Sequence, residues 1–165
     1  KPERLRAVPP LFRLLELSGK RQFGKRNVSG RQKAAEYACA IIIKDGKTLL
    51  GRRAHFRAAY PNCWDFIGGK IEAGETAEQA LNVSEEIAII PKNTRYFDKI
   101  VDVEARADQP PTYNFFTVRE WDGGAPIIYN HEHSHLEWFT HQQACDLSNL
   151  ALPEAYRNLL SAALA

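Results

Sequence analysis

Apolar stretches separated by turn signals run along the chain from residue 37 to its end. The apolar run at 37–44 and the segment at 47–53 flank an Asp-Gly pair, which is a strong hairpin signal. Further strands are predicted at 64–67, 95–103, 112–121 and 135–140. Helices are predicted at 76–90, 141–147 and 153–164. Strands interleaved with helices predict an α/β (α+β) domain in which a mixed sheet lies between helices.

Composition is consistent with one globular domain. Hydrophobic residues make up 44% and charged residues 25% of the 165 residues, which excludes a mostly disordered chain. The longest purely apolar runs are short, whereas a membrane-spanning helix needs about 20 apolar residues, so we expect no membrane partner. Three cysteines occur without zinc or redox spacing, which favours a reducing compartment and a cytoplasmic location.

Charge divides the chain into two parts. Residues 1–33 carry ten Lys/Arg against two Glu, a net charge of +8, while the remaining residues carry 12 basic and 18 acidic groups. We therefore predict a basic N-terminal arm over 1–33 and a domain over 34–165. Such an arm could attract nucleic acid or polyphosphate. A solvated arm, or one packed on its own acidic domain, is favoured. Apolar residues within the arm indicate docking on the domain or on a second subunit, so a homodimer stays open.

The residues that carry chemistry lie at 68–89, where a Gly-Gly turn precedes a loop and a predicted helix. The segment is rich in carboxylates, namely Glu72, Glu75, Glu78, Glu85 and Glu86. Clustered carboxylates at a glycine-rich turn suit a hard cation such as Mg²⁺, which takes oxygen ligands and bridges to substrate phosphates. The alternative, from the residues alone, is a charged and solvated helix face.

This segment resembles the Nudix box. That pattern reads glycine, five residues, glutamate, seven residues, Arg-Glu, an aliphatic, any residue, two glutamates, any residue, glycine and an aliphatic. Gly69 and Glu75 match its first fixed positions, and Glu85 and Glu86 match the paired glutamates. The flanks also resemble the family, at 51–54, 64–67 and 137–139. The resemblance implies a Nudix-type α/β/α sandwich and, among the subgroups, the MutT-like nucleoside triphosphate pyrophosphohydrolases.

The resemblance also implies roles for individual residues. Nudix enzymes use Mg²⁺ or Mn²⁺ to direct a water onto a phosphorus of a nucleoside diphosphate linked to another group. The implied catalytic residues are Glu85, Glu86, Glu132 and Lys70. The implied metal ligands are the carbonyl of Gly68 and the side chains of Glu85, Glu86 and Glu132. Gly69 and Glu75 support the motif. Phosphate or ribose contacts are expected from Arg52 and Arg53, whose guanidinium groups suit bidentate phosphate binding, and a base contact from Phe66 or nearby aromatic residues.

One part of the box is absent, and its absence bears on activity. The Arg-Glu pair expected between Asn82 and Val83 is missing, and Ala88 replaces the usual glycine. In the family the absent glutamate stands four residues before the last glutamate, so both carboxylates share one helix face. Here that place is taken by Asn82, whose amide brings no charge to a cation. The gap therefore predicts lower metal affinity and rate. A single insertion restores the pattern, which favours an otherwise functional family member.

The preferred function is hydrolysis of an NTP or dNTP to the monophosphate and pyrophosphate. The alternatives are a catalytically impaired nucleotide-binding module, an RNA 5′-end pyrophosphohydrolase that uses the basic arm, and an ADP-ribose or dinucleoside polyphosphate hydrolase. The oxidised-guanine subgroup uses an Asn near the last helix, and residues 151–153 hold none. Alternating histidines at 131, 133 and 135 favour a turn before a strand over a transition-metal site.

Overall fold

The computed structural model describes residues 33–81, 83–105 and 108–165. The basic arm predicted over 1–33 lies outside the described residues, apart from Lys33, and so does Asn82. None of the helices in the described part of the chain is long and apolar enough to cross a membrane.

Nine strands and three helices are formed by the described residues. The strands are β1 (Glu36–Lys44), β2 (Lys47–Arg53), β3 (Trp64–Asp65), β4 (Ile67–Lys70), β5 (Ile90–Lys92), β6 (Arg95–Val101), β7 (Thr112–Val118), β8 (Glu120–Asp122) and β9 (His133–Thr140). The helices are α1 (Val83–Ile87), α2 (His141–Cys145) and α3 (Pro153–Ala163).

Strand β1 is the centre of the main sheet. It pairs antiparallel with β2 and β4 and parallel with β7. The strand order is β3-β2-β1-β7-β6, with β9 added on β2, while β5 and β8 form a separate two-stranded sheet. A strand covered on both faces needs a continuous apolar sequence, and the run at 38–43 is buried throughout. The predicted mixed sheet is confirmed.

Helices cover both faces of this sheet. Successive side chains of a strand point to opposite faces, so β1 contributes to two cores. The side chains at 39, 41 and 43 pack in one cluster with residues of α2 and α3. The side chains at 38, 40 and 42 pack in a second cluster with residues of α1. The result is the α/β/α sandwich expected from the sequence.

The helix predicted over 76–90 is wrong in length. Helix α1 has five residues, turns occupy 77–80, and Ile90 already belongs to β5. Ala88 has a left-handed backbone, with φ of 57°, and such a residue ends a helix. The change of direction at Ala88 buries Ile89 completely and leaves Ile90 60% exposed. The chain therefore buries Ile89 by ending the helix, and the apolar stripe of the predicted longer helix is not continued.

The other predicted elements form with different ends. The strand predicted at 64–67 is divided at Phe66, whose N–H donates to Asp65 Oδ1 at 2.8 Å. The strand predicted at 112–121 ends at Val118, and β8 follows in the second sheet. The break at Phe66 matters for the site because it comes directly before the glycine turn at 68–69.

Gly68 lies where β4 passes close to β1, so we expect Gly68→Ala to destabilise the protein strongly. A Cβ there would lie 2.1 Å from the carbonyl oxygen of Ala38 and 2.7 Å from the Cα of Cys39, and backbone cannot move aside cheaply. The free energy of unfolding should fall by more than about 3 kcal/mol, beyond ordinary overpacking. Denaturant unfolding measures it. Lys70→Ala, at the exposed end of the same strand, is the control and should change stability by less than about 0.5 kcal/mol.

Candidate active site

A cavity of about 920 Å³ opens beside β1 and β4 and is also lined by α1, β7 and the loop at 54–63. Its acidic lining residues are Asp65, Glu72, Glu75, Glu85, Glu86 and Glu132. Its lysine and arginine residues are Arg53, Arg57 and Lys70. The surplus of carboxylates gives the cavity a negative potential, which attracts cations and repels a bare polyphosphate.

Glu86 is the most deeply buried glutamate of this lining. Helix α1 holds it at 6% exposure, and its Oε2 atom has no hydrogen-bond partner among the residues that the structure describes. Burial, and then the negative charges of Glu132 and Asp65, raise the pKa of the Glu86 carboxyl to about 8. The carboxyl is therefore largely protonated at neutral pH until a cation or a new donor compensates its charge.

His133 is the nearest polar neighbour of Glu86. Its Nδ1 lies 3.5 Å from Glu86 Oε2 and is likewise unpartnered within the described residues. Burial, and then the positive charge of Arg53, lower the pKa of His133 to about 4. The two pKa values favour a neutral imidazole beside a neutral carboxyl, so the contact is not an ion pair at neutral pH.

Glu132 enters the cavity from the segment before β9. Its backbone carbonyl accepts a hydrogen bond from the N–H of Ala54 at 2.9 Å, and its own N–H donates to Asn130 Oδ1 at 2.9 Å. Its carboxylate Oε2 lies 3.3 Å from Nη2 of Arg57, and both side chains are about one-third exposed, at 39% and 35%. The backbone of Glu132 is thus fixed while its carboxylate stays accessible.

Arg53 is held by a buried network. Its Nη1 donates to Asp65 Oδ2 at 2.9 Å, and its Nε donates to the carbonyl of Ala59 at 2.8 Å. Asp65 Oδ1 accepts a hydrogen bond of 2.6 Å from the hydroxyl of Tyr156 on α3. A buried charge pair with its remaining lone pairs satisfied is costly to rearrange, so Arg53 has a fixed place at the cavity wall.

The glycine turn and the following loop form a short braced segment. Glu75 Oε2 accepts a hydrogen bond from the N–H of Glu72 at 3.0 Å. Lys70 extends over the same loop, with Nζ 4.0 Å from Glu72 Oε1, and both of these side chains are exposed. Glu75 therefore braces the loop, and Lys70 is free to meet a ligand in the cavity.

The donors around the cavity fit a divalent cation of the Mg²⁺ type. Glu86 offers a buried oxygen without a partner among the described residues, and Glu85 and Glu132 line the same cavity. No three acidic, histidine or cysteine side chains in the described part of the chain converge closely enough to hold a metal unaided. Mg²⁺ typically takes one or two carboxylates and completes its shell with water and substrate phosphates, which suits this arrangement.

A comparison with known families identifies the family of this domain. Residues 34–162 match the family model of the NUDIX domain. The chain belongs to the Nudix family. The resemblance found in the sequence is therefore confirmed, and the protein is a Nudix hydrolase by family.

Individual relatives agree with this result. The 8-oxo-dGTP diphosphatase of Escherichia coli is 34% identical over 93 residues, covering 55% of this chain and 70% of that protein. The nucleoside triphosphatase NudI of Enterobacter sp. is 28% identical over 128 residues, covering 72% and 89%. The crystal structure of a MutT NUDIX hydrolase from Burkholderia pseudomallei aligns with a TM-score of 0.68 at 23% identity, covering 79% of this chain and 98% of that one. This last likeness shows the shared fold.

Most residues expected from the Nudix box line the cavity together. They are Gly68, Gly69, Lys70, Glu75, Glu85, Glu86 and, from outside the box, Glu132. Glu85 is exposed and Glu86 buried, so the two neighbouring carboxylates meet the cavity in different environments. Asn82, which stands in place of the missing glutamate, lies outside the described residues.

Two expected substrate contacts, Arg52 and Phe66, have surroundings that differ from the expectation. Arg52 does not line the cavity, because neighbouring residues of β2 point to opposite sides, and its Nε donates instead to the carbonyl of Asn62 at 3.3 Å. Phe66 is only 3% exposed, with its ring packed edge-on against those of Phe115 and Tyr156. Phe66 nevertheless lines the cavity, so its contact with a base stays a prediction.

Two tyrosines and an arginine line the Nudix cavity without having been named from the sequence. Tyr37 and Tyr113 stack with ring centroids 5.1 Å apart, and both line the cavity. Arg57 contacts Glu132, and His133 contacts Glu86. The two tyrosines are neighbours only because β1 and β7 pair in parallel, which no local pattern reveals. Arg57 had one signal, a basic residue in the loop before the glycine turn.

Proposed function

We propose that the protein hydrolyses a nucleoside triphosphate or its deoxy form to the monophosphate and pyrophosphate, using a water activated by Mg²⁺ or Mn²⁺. The observation that carries this proposal is the buried carboxylate of Glu86, unpartnered at Oε2 within the described residues, in a carboxylate-rich cavity. The cavity is within the size range of small-molecule sites. Two Nudix relatives, an 8-oxo-dGTP diphosphatase and a nucleoside triphosphatase, are named for triphosphate substrates.

Each residue would have a separate task. Glu86, Glu85 and Glu132, with the carbonyl of Gly68, would hold the cation. When bound, the cation neutralises phosphate charge and lowers the pKa of a bound water. Lys70 would bind phosphate oxygens, since it lines the cavity and carries charge. Arg53 would offer them the guanidinium donors that Asp65 and the carbonyl of Ala59 do not use.

The nucleobase would bind against the stacked pair of Tyr37 and Tyr113. Aromatic rings offer a nucleobase a large apolar surface, and both rings reach the cavity wall. Phe66 lines the same cavity and stays the base contact expected from the sequence. Stacking on these rings does not discriminate among the nucleobases. The base is therefore to be identified with the panel of substrates described below.

A nucleotide-binding module with little turnover is the second candidate. The observation in its favour is the five-residue length of α1, together with the missing carboxylate of the box. Fewer carboxylates beside Glu86 mean weaker cation binding, and the rate of hydrolysis by a metal-activated water should fall as well.

A substrate panel tests the proposal. It contains the common NTPs and dNTPs, 8-oxo-dGTP, ADP-ribose, a dinucleoside polyphosphate and 5′-triphosphorylated RNA, each with Mg²⁺ and with Mn²⁺. We expect pyrophosphate and the monophosphate from a triphosphate, and no product after EDTA treatment. Nucleotide binding in the absence of any product release would favour the module. Release only from ADP-ribose, the dinucleoside or RNA would favour the corresponding alternative enzyme.

We also propose that a basic arm at 1–33 precedes a catalytic domain at 34–165 and that the protein works in the cytoplasm. Three free thiols support a reducing compartment, and burial raises the pKa of Cys39 well above its usual value, which keeps that thiol unreactive. Nucleic acid is not the favoured partner of the arm. If the arm did bind RNA, affinity would fall steeply with salt and disappear on removal of 1–33.

A further inference from the structure

Two arginines reach the cavity, and only one of them has a partner that can be exchanged. Arg53 is 18% exposed and is committed to Asp65, which is 10% exposed, and to the carbonyl of Ala59. Arg57 is 35% exposed, and within the described residues it forms an ion pair with Glu132, which is similarly accessible at 39%. Exposed pairs contribute little free energy, so the guanidinium of Arg57 can leave Glu132 at low cost.

The loop at 54–63 keeps Arg57 at the cavity whether or not this ion pair is made. The N–H of Arg57 donates to the carbonyl of Ala54 at 3.1 Å, and Ala54 is itself bonded to the backbone of Glu132. Further along the loop, the hydroxyl of Tyr60 donates to the buried Asp102 at 2.6 Å. The backbone is therefore fixed, and only the side chain of Arg57 has freedom to move.

The charges at the cavity explain what Arg57 does without a ligand. Glu86 is buried and Glu132 is accessible, and Arg57 lies against the accessible one of the two. In the Nudix pattern a further arginine and glutamate would stand in the box, and this chain has neither. Arg57 is thus a movable cation that balances the charge of Glu132 at the cavity.

We propose that Arg57 neutralises Glu132 in the unliganded protein and transfers its guanidinium to the substrate's polyphosphate when Glu132 is engaged by a divalent cation. The inference rests on the proposed function, because it assigns the polyphosphate and the cation to this cavity. Transfer places a bidentate donor on the phosphates and frees the carboxylate in the same movement. Arg57 is accordingly a substrate-binding residue that also competes with the cation.

The test is Arg57→Gln, with two readouts that should move in opposite directions. Without nucleotide, Mn²⁺ should bind about two- to fivefold more tightly, since a competing cation of modest strength is removed. With Mg²⁺ present, α,β-methylene analogues of the nucleoside triphosphates should bind about 10- to 100-fold more weakly, because a charge-assisted hydrogen bond is lost. Mn²⁺ binding is followed by electron paramagnetic resonance and analogue binding by calorimetry.

Two variants serve as references. Arg57→Lys keeps the charge, so Mn²⁺ affinity should stay near that of the parent protein while analogue binding falls by a smaller factor. Arg95→Gln removes an exposed arginine of β6 that lines a different depression, and should change neither affinity. Unchanged or weaker Mn²⁺ binding in Arg57→Gln would show that Arg57 does not compete with the cation for Glu132. Unchanged analogue binding would show that Arg57 does not move to the polyphosphate. If the parent protein binds no analogue at all, the proposed function fails instead.

Discussion

Inserting Arg-Glu between Asn82 and Val83 is expected to raise the rate of nucleotide hydrolysis about a hundredfold or more. The new glutamate would stand four residues before Glu86, so in helical geometry both carboxylates lie on one face. A second carboxylate beside Glu86 supplies a charged ligand or a proton acceptor, and a positioned general base contributes about 10²–10⁴ in rate. The readout is kcat/KM for pyrophosphate release with Mg²⁺.

The matched control is an Arg-Gln insertion at the same place. It restores the length of the box and the arginine, and it withholds only the charge. We expect the Arg-Glu insertion to raise kcat/KM strongly and the Arg-Gln insertion to raise it much less. Equal gains from both insertions would mean that the length of α1 limits the rate and that the carboxylate does not. No gain from either, with nucleotide still bound, would identify the chain as a binding module.

A lengthened helix must also be accommodated by its surroundings. The carbonyls of Glu86 and Ile87 accept hydrogen bonds from the N–H groups of Tyr129 and Ile127 at 2.9 and 3.1 Å, which fixes the end of α1 against that segment. Extra residues are therefore expected to extend the helix at its beginning, before Val83. The position of Glu86 in the cavity should be preserved.

Short-range patterns predicted much of the sheet. The Asp45-Gly46 pair predicts a tight hairpin, and both residues have positive φ, 50° and 72°, as its turn requires. The apolar run at 38–43 predicts a buried strand, and its alternating faces create the two cores. These features depend on a few neighbouring residues, so they can be derived from the chain itself.

The length of α1 could not be predicted in the same way. Ala is the best helix former, so its own propensity does not indicate that Ala88 adopts a left-handed backbone and ends the helix. The one signal was the glycine that the Nudix pattern has at this position. The stripe formed by residues at 80, 83, 87 and 90 fits a continuous helix equally well. Packing of Ile89 into the second core decides the outcome, and that contact is tertiary.

In the candidate site, too, some features follow from neighbouring residues and others from tertiary contacts. The box residues follow one another in sequence, so their meeting at the cavity could be expected from the motif. The choice between Arg52 and Arg53 depends on which face of β2 meets the cavity, and the burial of Phe66 depends on contacts with Phe115 and α3. Tyr37 and Tyr113 meet only through the parallel pairing of distant strands.

Replacing Glu86 by Gln should have opposite effects on activity and on stability. The variant loses the buried anionic ligand, so hydrolysis in the Arg-Glu insertion background should fall about a hundredfold or more. The metal-free variant should nevertheless be more stable than its parent at pH 8. Gln carries no charge to bury, and its amide can donate to the nearby Nδ1 of His133.

The pH dependence follows from two shifted pKa values. The pKa of Glu86 rises from 4.5 to about 8 on folding, so this group's contribution to stability is full below pH 4.5 and is lost as the pH approaches 8. The pKa of His133 falls from 6.5 to about 4, so its contribution is full above pH 6.5 and is lost as the pH falls towards 4. Between pH 4.5 and 6.5 the loss of stability due to Glu86 and the gain due to His133 cancel. From pH 6.5 to 8 only the loss due to Glu86 remains, and the free energy of unfolding should fall by about 2 kcal/mol.

Denaturant unfolding in EDTA, at intervals from pH 5 to 8.5, separates this effect from general changes. In the parent protein stability should decline above pH 6.5, whereas Glu86→Gln should remove that decline. Glu85→Gln is the matched control, because Glu85 is the exposed neighbour on the same helix and should leave the decline in place. A parent protein whose stability stays level from pH 6.5 to 8 would show that Glu86 is already ionised in the folded state, with its charge compensated by Arg53, Arg57 or water. The gain in stability of Glu86→Gln would then be absent, while the loss of activity would remain, because catalysis depends on the anionic ligand in either case.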